Sequence, residues 1–167
     1  MKIVDILLQD FDLEMRGTRT TLERIPEDKA DYKPHGNSMP MGRLAVHVAR
    51  LPQFLITILG TPSLDLASVK WPPLVFESRE KLLAEFDLLA AEARKTLASA
   101  SDEQLEAAWT LAWGGKVLVE APRSLLYRTL FLNHLVHHRA QLGVYLRLND
   151  LPVPSLYGPS ADENPAG

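Results

Sequence analysis

Leu130-Phe131-Leu132-Asn133-His134-Leu135-Val136-His137-His138-Arg139-Ala140-Gln141-Leu142 carries the densest pattern in the chain. Residues 126 or 127, 130, 131, 134, 138, 141, 142 and 145 form one stripe at helical spacing. The pattern predicts a helix over about 122–148, opened by Pro122 and ended by Asn149, Asp150, Pro152 and Pro154. His134 and His138 are four residues apart, which stacks their side chains on one face. An imidazole facing a core needs a partner. For one histidine that partner is usually a hydrogen bond; for several it is most often a divalent metal.

Working outward, three further long helices are expected. Residues 2–25 repeat Val4, Leu7, Leu8, Phe11, Met15, Leu22 and Ile25 on one side, with Asp12, Glu14, Arg16 and Arg19 among the rest. Pro26 stops that helix, and 26–39 reads as a loop. Ser38 and Pro40 mark the start of a helix over about 40–59, with Leu44, His47, Val48, Leu51, Phe54, Leu55 and Ile58 as its stripe. Pro52 inside it predicts a kink or local break. Residues 61–76 hold several prolines and no helical repeat. A third helix begins near Ser78, with Leu82, Phe86, Leu89, Ala93 and Leu97 inward. Ser101-Asp102-Glu103-Gln104 is a capping-box pattern for a short turn.

Beyond it the period changes. Trp109, Leu111 and Trp113 alternate, then Val117 and Val119 after Gly114-Gly115-Lys116, which predicts a small hairpin or extended excursion near 109–120. The expected fold is an all-α four-helix bundle, with long connections that permit a crossover. One domain is expected over 1–157, followed by a polar tail, 158–167.

Composition narrows the function. The chain has 167 residues, 46% hydrophobic and 23% charged, with net charge −3 and no Lys/Arg cluster to track a phosphate backbone. No nucleic-acid partner is expected. No apolar run approaches the ~20 residues of a membrane span. Asp5 and Asp10 interrupt any signal-peptide layout, so a cytoplasmic location is expected. Cysteine is absent, which removes disulfides, thiolate ligands and a cysteine nucleophile; any thiol in the chemistry must arrive on a small molecule.

His47 would complete a set of three imidazoles from two helices, leaving coordination positions for water or substrate. Spacing alone also admits a His134/His137 pair; the coherent stripe favours His134/His138 and puts His137 beside the site or in solvent. Neutral donors leave an ion's charge intact. Zinc and nickel come first for such a set, with iron, cobalt and manganese as further candidates. No HExxH and no Gly-rich phosphate loop occur. Gln141 and Tyr145, one and two turns beyond His138, are candidates to orient a substrate, or else core residues hydrogen-bonded among themselves. His137 is a candidate base. Arg139 could meet an anion, but an exposed helix arginine is the ordinary expectation. Trp109 and Trp113 could line a pocket mouth or pack over one end.

Pro40-Met41-Gly42-Arg43-Leu44-Ala45-Val46-His47-Val48-Ala49, His134-Leu135-Val136-His137-His138-Arg139-Ala140-Gln141-Leu142, and the closing Pro152 to Glu163 together resemble the DinB-like family of metal-binding four-helix bundles. The resemblance covers nearly the whole chain. It implies ligands at His47, His134 and His138, a long crossover, and a homodimer, as in many members. Members include S-transferases that use mycothiol or bacillithiol, and a thiol-dependent isomerase. The reading it supports is a metal-dependent transferase joining a low-molecular-weight thiol to an electrophilic small molecule. A metal-dependent hydrolase, or a non-enzymatic metal-binding or stress-response protein, are the alternatives.

Overall fold

The computed structural model describes residues 2–163. Four long helical stretches share one core: α1 (Ile3–Leu22), α2 (Met41–Gly60), α3 (Arg79–Ala98) and a composite last helix. That last helix runs as α5 (Arg123–Leu126), a π-helical segment (Tyr127–Leu132) and α6 (Asn133–Arg147) without leaving right-handed helical backbone. A single turn, α4 (Asp102–Glu106), precedes a hairpin.

The packing order settles how the chain crosses over. α2 packs against α3 and α6, and α1 packs against the same two helices, so α1 and α2 face each other across a diagonal. The first connection therefore spans the core, and the segment from α3 to the last helix does so again. Leu22, Ile25, Met41, Leu44, Leu55, Phe11, Phe86, Leu97, Tyr127 and Phe131 are all within 2% of complete burial and fill the centre. Burying such side chains is the main drive for helix packing, each contributing about 1.5–3 kcal/mol.

Helix ends follow the local chemistry. The Asp5 carboxylate accepts from the Lys2 N–H at the start of α1. Ser78 and Ser101 accept from Lys81 N and Gln104 N, capping α3 and α4. α2 has no side-chain cap. The backbone N–H groups of Met41 and Gly42 instead donate to Tyr32 O and Ala30 O in the preceding loop. Gly42 permits this contact, because a Cβ there would lie 2.7 Å from Phe76 Cβ. α2 continues as one helix through Pro52.

The fold is mostly helical but not strictly all-α. β2 (Ala108–Trp113) and β3 (Lys116–Pro122) form the antiparallel hairpin that the alternation predicts. Gly114 and Gly115 take φ of +58° and +80°, the left-handed pair that a tight two-residue turn demands. A third strand, β1 (Ser63–Asp65), pairs parallel with β2, matching Leu64 to Leu111. It lies in the 61–76 segment, where three residues beside Pro62 give no periodic signal. Asp65 ties the sheet together, accepting from Gly114 N and Gly115 N. Leu64, Trp109 and Leu111 pack with Ile58 and Leu126 as a second small core at one end of α2.

The C-terminal segment is tied to the helices as far as Glu163. Asp162 pairs with Arg147, and Glu163 pairs with Arg24 and accepts from Ser155 N. The two acids stay exposed to solvent, yet each is fastened to a helix or its following turn by an arginine. The part of the expected tail at 164–167 lies outside the described residues. Among the described residues, no helix is long and apolar enough to cross a membrane.

Candidate metal centre

α2 and α6 pack side by side, which turns the His47 face toward the stripe of the last helix. The ring centroids of His47, His134 and His138 lie 4.7–5.1 Å apart. One nitrogen from each falls within 4.8 Å of the others, and the three could hold a metal ion. His47 Nε2 and His134 Nε2 are 3.3 Å apart. Two nitrogens at the usual zinc bond length of about 2.0–2.1 Å on a tetrahedral ion sit about 3.3–3.4 Å from each other, so this pair already has ligand spacing.

Two of the three rings are held in the right tautomer. His134 Nδ1 lies 3.3 Å from Leu130 O, a carbonyl that can only accept. His138 Nδ1 lies 2.8 Å from Gln141 Oε1. Both Nδ1 atoms therefore carry the proton, leaving Nε2 with its lone pair facing the cluster. The chain of hydrogen bonds continues, because Gln141 Nε2 donates to His137 Nε2 over 3.1 Å.

Electrostatics also favour neutral rings. Burial, followed by the neighbouring His138, His134 and Arg43, pushes His47 down from 6.5 to about 4. Burial and His138 likewise push His134 down, against a smaller opposing effect of its bond to Leu130 O. Imidazoles that resist protonation near neutral pH keep their lone pairs available to a cation.

The other sequence candidates fall around this cluster in different ways. His137 is exposed and lies outside the three-nitrogen group, stacked edge-on to His138 at 4.9 Å. Gln141 is a tether for His138. Tyr145 is buried and its hydroxyl donates to Met39 O, so its proton is committed to backbone. Trp109 is buried and donates through Nε1 to Thr61 Oγ1, whereas Trp113 is exposed at the hairpin turn.

Arg139 departs most from expectation. It is 2% exposed and lies among Glu14, Thr18 and Tyr157. Its Nη1 donates to Glu14 O and Thr18 Oγ1, and its Nη2 to Tyr157 OH and Glu14 Oε2. The Tyr157 hydroxyl donates in turn to Glu14. A charged side chain one residue from His138 thus fastens α6 to α1 and to the C-terminal segment.

His47 and His134 also form part of the wall of a cavity of about 740 Å³. Its other walls come from α2, α3, the 66–74 loop and β2, including Phe54, Leu66, Trp71, Leu89 and Leu111. A smaller cavity of about 400 Å³ touches His138, Gln141 and Tyr145 from the other side. The charged residues of the larger cavity, Arg50, Lys70 and Glu85, were not apparent as site residues from sequence. Arg50 had a usable signal, since it follows His47 by three positions on the same helix face.

The structural likeness is broad. A DinB-like protein from Bacillus cereus ATCC 10987 matches with a TM-score of 0.69 at 20% identity, over 90% of this chain and 95% of that one. A DinB-like protein from Bacillus subtilis matches with a TM-score of 0.70 at 21% identity, over 90% and 96%. At such identities the likeness shows the fold alone. No curated protein matches the chain. The DinB family pattern matches residues 2–165. The chain, with its three clustered imidazoles, belongs to the DinB family.

Proposed function

We propose that His47, His134 and His138 bind one divalent cation, zinc or nickel, and that the protein is a transferase joining a small-molecule thiol to an electrophile. One observation carries this reading: three imidazole donors within 4.8 Å of one another share a wall with a cavity of about 740 Å³. Three protein donors leave positions for an incoming group, and the cavity gives that group room. When bound, the ion supplies one effect, lowering the pKa of a thiol that joins its shell.

The chain's own residues do the rest. Leu130 O and the Gln141 side chain hold two rings at their ligand tautomer. The apolar walls keep bulk water from the reactants. Glu85, the carboxylate on the cavity wall, is held by Arg50 Nε at 2.7 Å and is not free to act as a base. The lack of cysteine agrees with a thiol brought from outside. A homodimer in the cytoplasm is the proposed setting.

Elemental analysis of tag-free protein tests the first step, beside His134→Ala and His138→Ala. The expected result is near one equivalent of zinc or nickel, lost in both variants. A thiol-plus-electrophile assay on the loaded protein tests the second. No retained metal and no tight uptake of added Zn²⁺ or Ni²⁺ overturns the reading. Product formed equally well without any thiol overturns the transferase and points to hydrolysis.

A further inference from the structure

The walls of the cavity beside His47 and His134 have a definite chemical character. Leu51, Phe54, Leu66, Leu74, Leu89 and Leu111 converge from four separate parts of the chain. Only three charged side chains reach the same space: Arg50, Lys70 and Glu85. Arg50 and Glu85 hold each other, Arg50 Nε to Glu85 Oε1 at 2.7 Å. Arg50 Nη1 donates to Pro73 O at 3.0 Å, which fixes the loop that closes one side. Lys70, exposed beside Trp71, makes no ion pair or hydrogen bond among the described residues. The charges in the cavity therefore sum to one positive, on a protein whose net charge is −3. The surplus sits on the 66–74 loop, not on the helices that carry the imidazoles.

We propose that this cavity binds an amphipathic organic anion: a ring-sized or chain-like apolar body among the leucines and Phe54, with one carboxylate or sulfonate reaching Lys70. The inference rests on the reading of this cavity as the substrate side of the site, and it narrows the electrophile to that class. The volume suits it, since small-molecule pockets run from about 300 to 1,000 Å³ and bury most of their ligand against apolar walls. An apolar body supplies the favourable burial, and the single unpaired lysine selects the sign of the head group.

The test uses two fluorescent probes of one body, 1-pyrenebutyrate and uncharged 1-pyrenebutanol, titrated into the metal-free full chain and again after adding Zn²⁺. The expected result is one saturable site, with the butyrate bound at least tenfold more tightly than the butanol in low salt. Lys70→Glu, a surface substitution that leaves the packing intact, should erase or reverse that preference. Leu89→Trp, which fills the cavity from α3, should weaken both probes tenfold or more, with its thermal transition checked for folding. Equal affinity for the two probes overturns the anion assignment, as does an unchanged preference in Lys70→Glu. Undiminished binding by folded Leu89→Trp overturns the location. His134→Ala should keep the butyrate preference even if it takes up no metal, so failure of the metal reading would be seen separately.

Discussion

Arg139 Nη2 lies 2.6 Å from Glu14 Oε2, and the two side chains are 2% and 11% exposed. Few charged pairs are so thoroughly removed from water, and this one is completed by Thr18 and Tyr157. Removing one partner strands the other as a buried charge. Arg139→Ala is expected to cost about 3–5 kcal/mol, lowering the thermal midpoint by roughly 10 °C. Tyr157→Phe keeps the pair but removes the bridging hydroxyl, and about 1–3 kcal/mol is expected there. Thermal melts of the two variants beside the native chain check the order of the effects.

Gln141 touches His138 and not the ion position, so its effect should appear in metal affinity and not in folding. Gln141→Leu is expected to weaken Zn²⁺ binding about 10- to 100-fold while leaving the melting temperature of metal-free protein within a few degrees. Competition against a chromophoric chelator measures the affinity. An affinity equal to that of the native chain would remove Gln141 from any role in orienting the ring.

The C-terminal fastening should respond to acid in one direction. Arg147 first, then the Val153 N–H, hold Asp162 below its ordinary value of 3.8. The Ser155 N–H first, then Arg24, hold Glu163 below 4.5. A carboxyl whose folded value is depressed stabilises the fold above its ordinary value and loses that contribution as pH falls through the folded value. An Asp162→Asn, Glu163→Gln double variant should therefore be less stable than the native chain at pH 7. The difference should shrink below pH 4.5 and vanish once both carboxyls are protonated. Urea unfolding of the two proteins across that range checks it. A gap that widens in acid would contradict the assignment.

Gly42 is closely packed at the start of α2. Gly42→Ala puts a methyl carbon 2.7 Å from Phe76 Cβ and 3.0 Å from Ala30 Cβ, so the loop must shift. Overpacking of this kind costs about 1–3 kcal/mol. Because Leu74 and the 66–74 loop line the cavity, the same variant should also alter ligand affinity there. Denaturant melts and probe titration report the two effects separately.

Much of this is legible in the amino-acid sequence alone. The long helices announced themselves because one face of each is buried, and burial imposes a 3.6-residue period on the letters. The hairpin was legible from Gly114-Gly115 between alternating runs. His134 and His138 share a face by arithmetic, and His47 stood on the stripe of another helix. β1 was not legible, because a three-residue strand buried only at Leu64 leaves no repeat to read. Arg139 and Glu14 were misplaced for a different reason. Each looks like solvent-facing charge within its own helix, and only the packing of α1 on α6 brings the two together. The C-terminal fastening is hidden likewise, since its acids find their arginines on elements far away in sequence. Pairing between distant polar groups is a property of the assembled fold, and one chain read alone carries no periodic trace of it.

The wide turn at Tyr127–Leu132 works as a rotational spacer. Upstream, Arg123 is bolted to the carbonyls of Ile58, Thr61, Ala107 and Ala108. Downstream, the imidazoles must face His47. A π-helical turn carries one residue more than an α-helical turn over the same path, and each residue of an α-helix advances the azimuth by about 100°. The two ends of the helix are therefore clocked independently. A chain one residue shorter between positions 127 and 132 would relax to ordinary α geometry and still aim His134 and His138 at the same point. The aim of the imidazoles is thus expected to survive the loss of one residue from this turn.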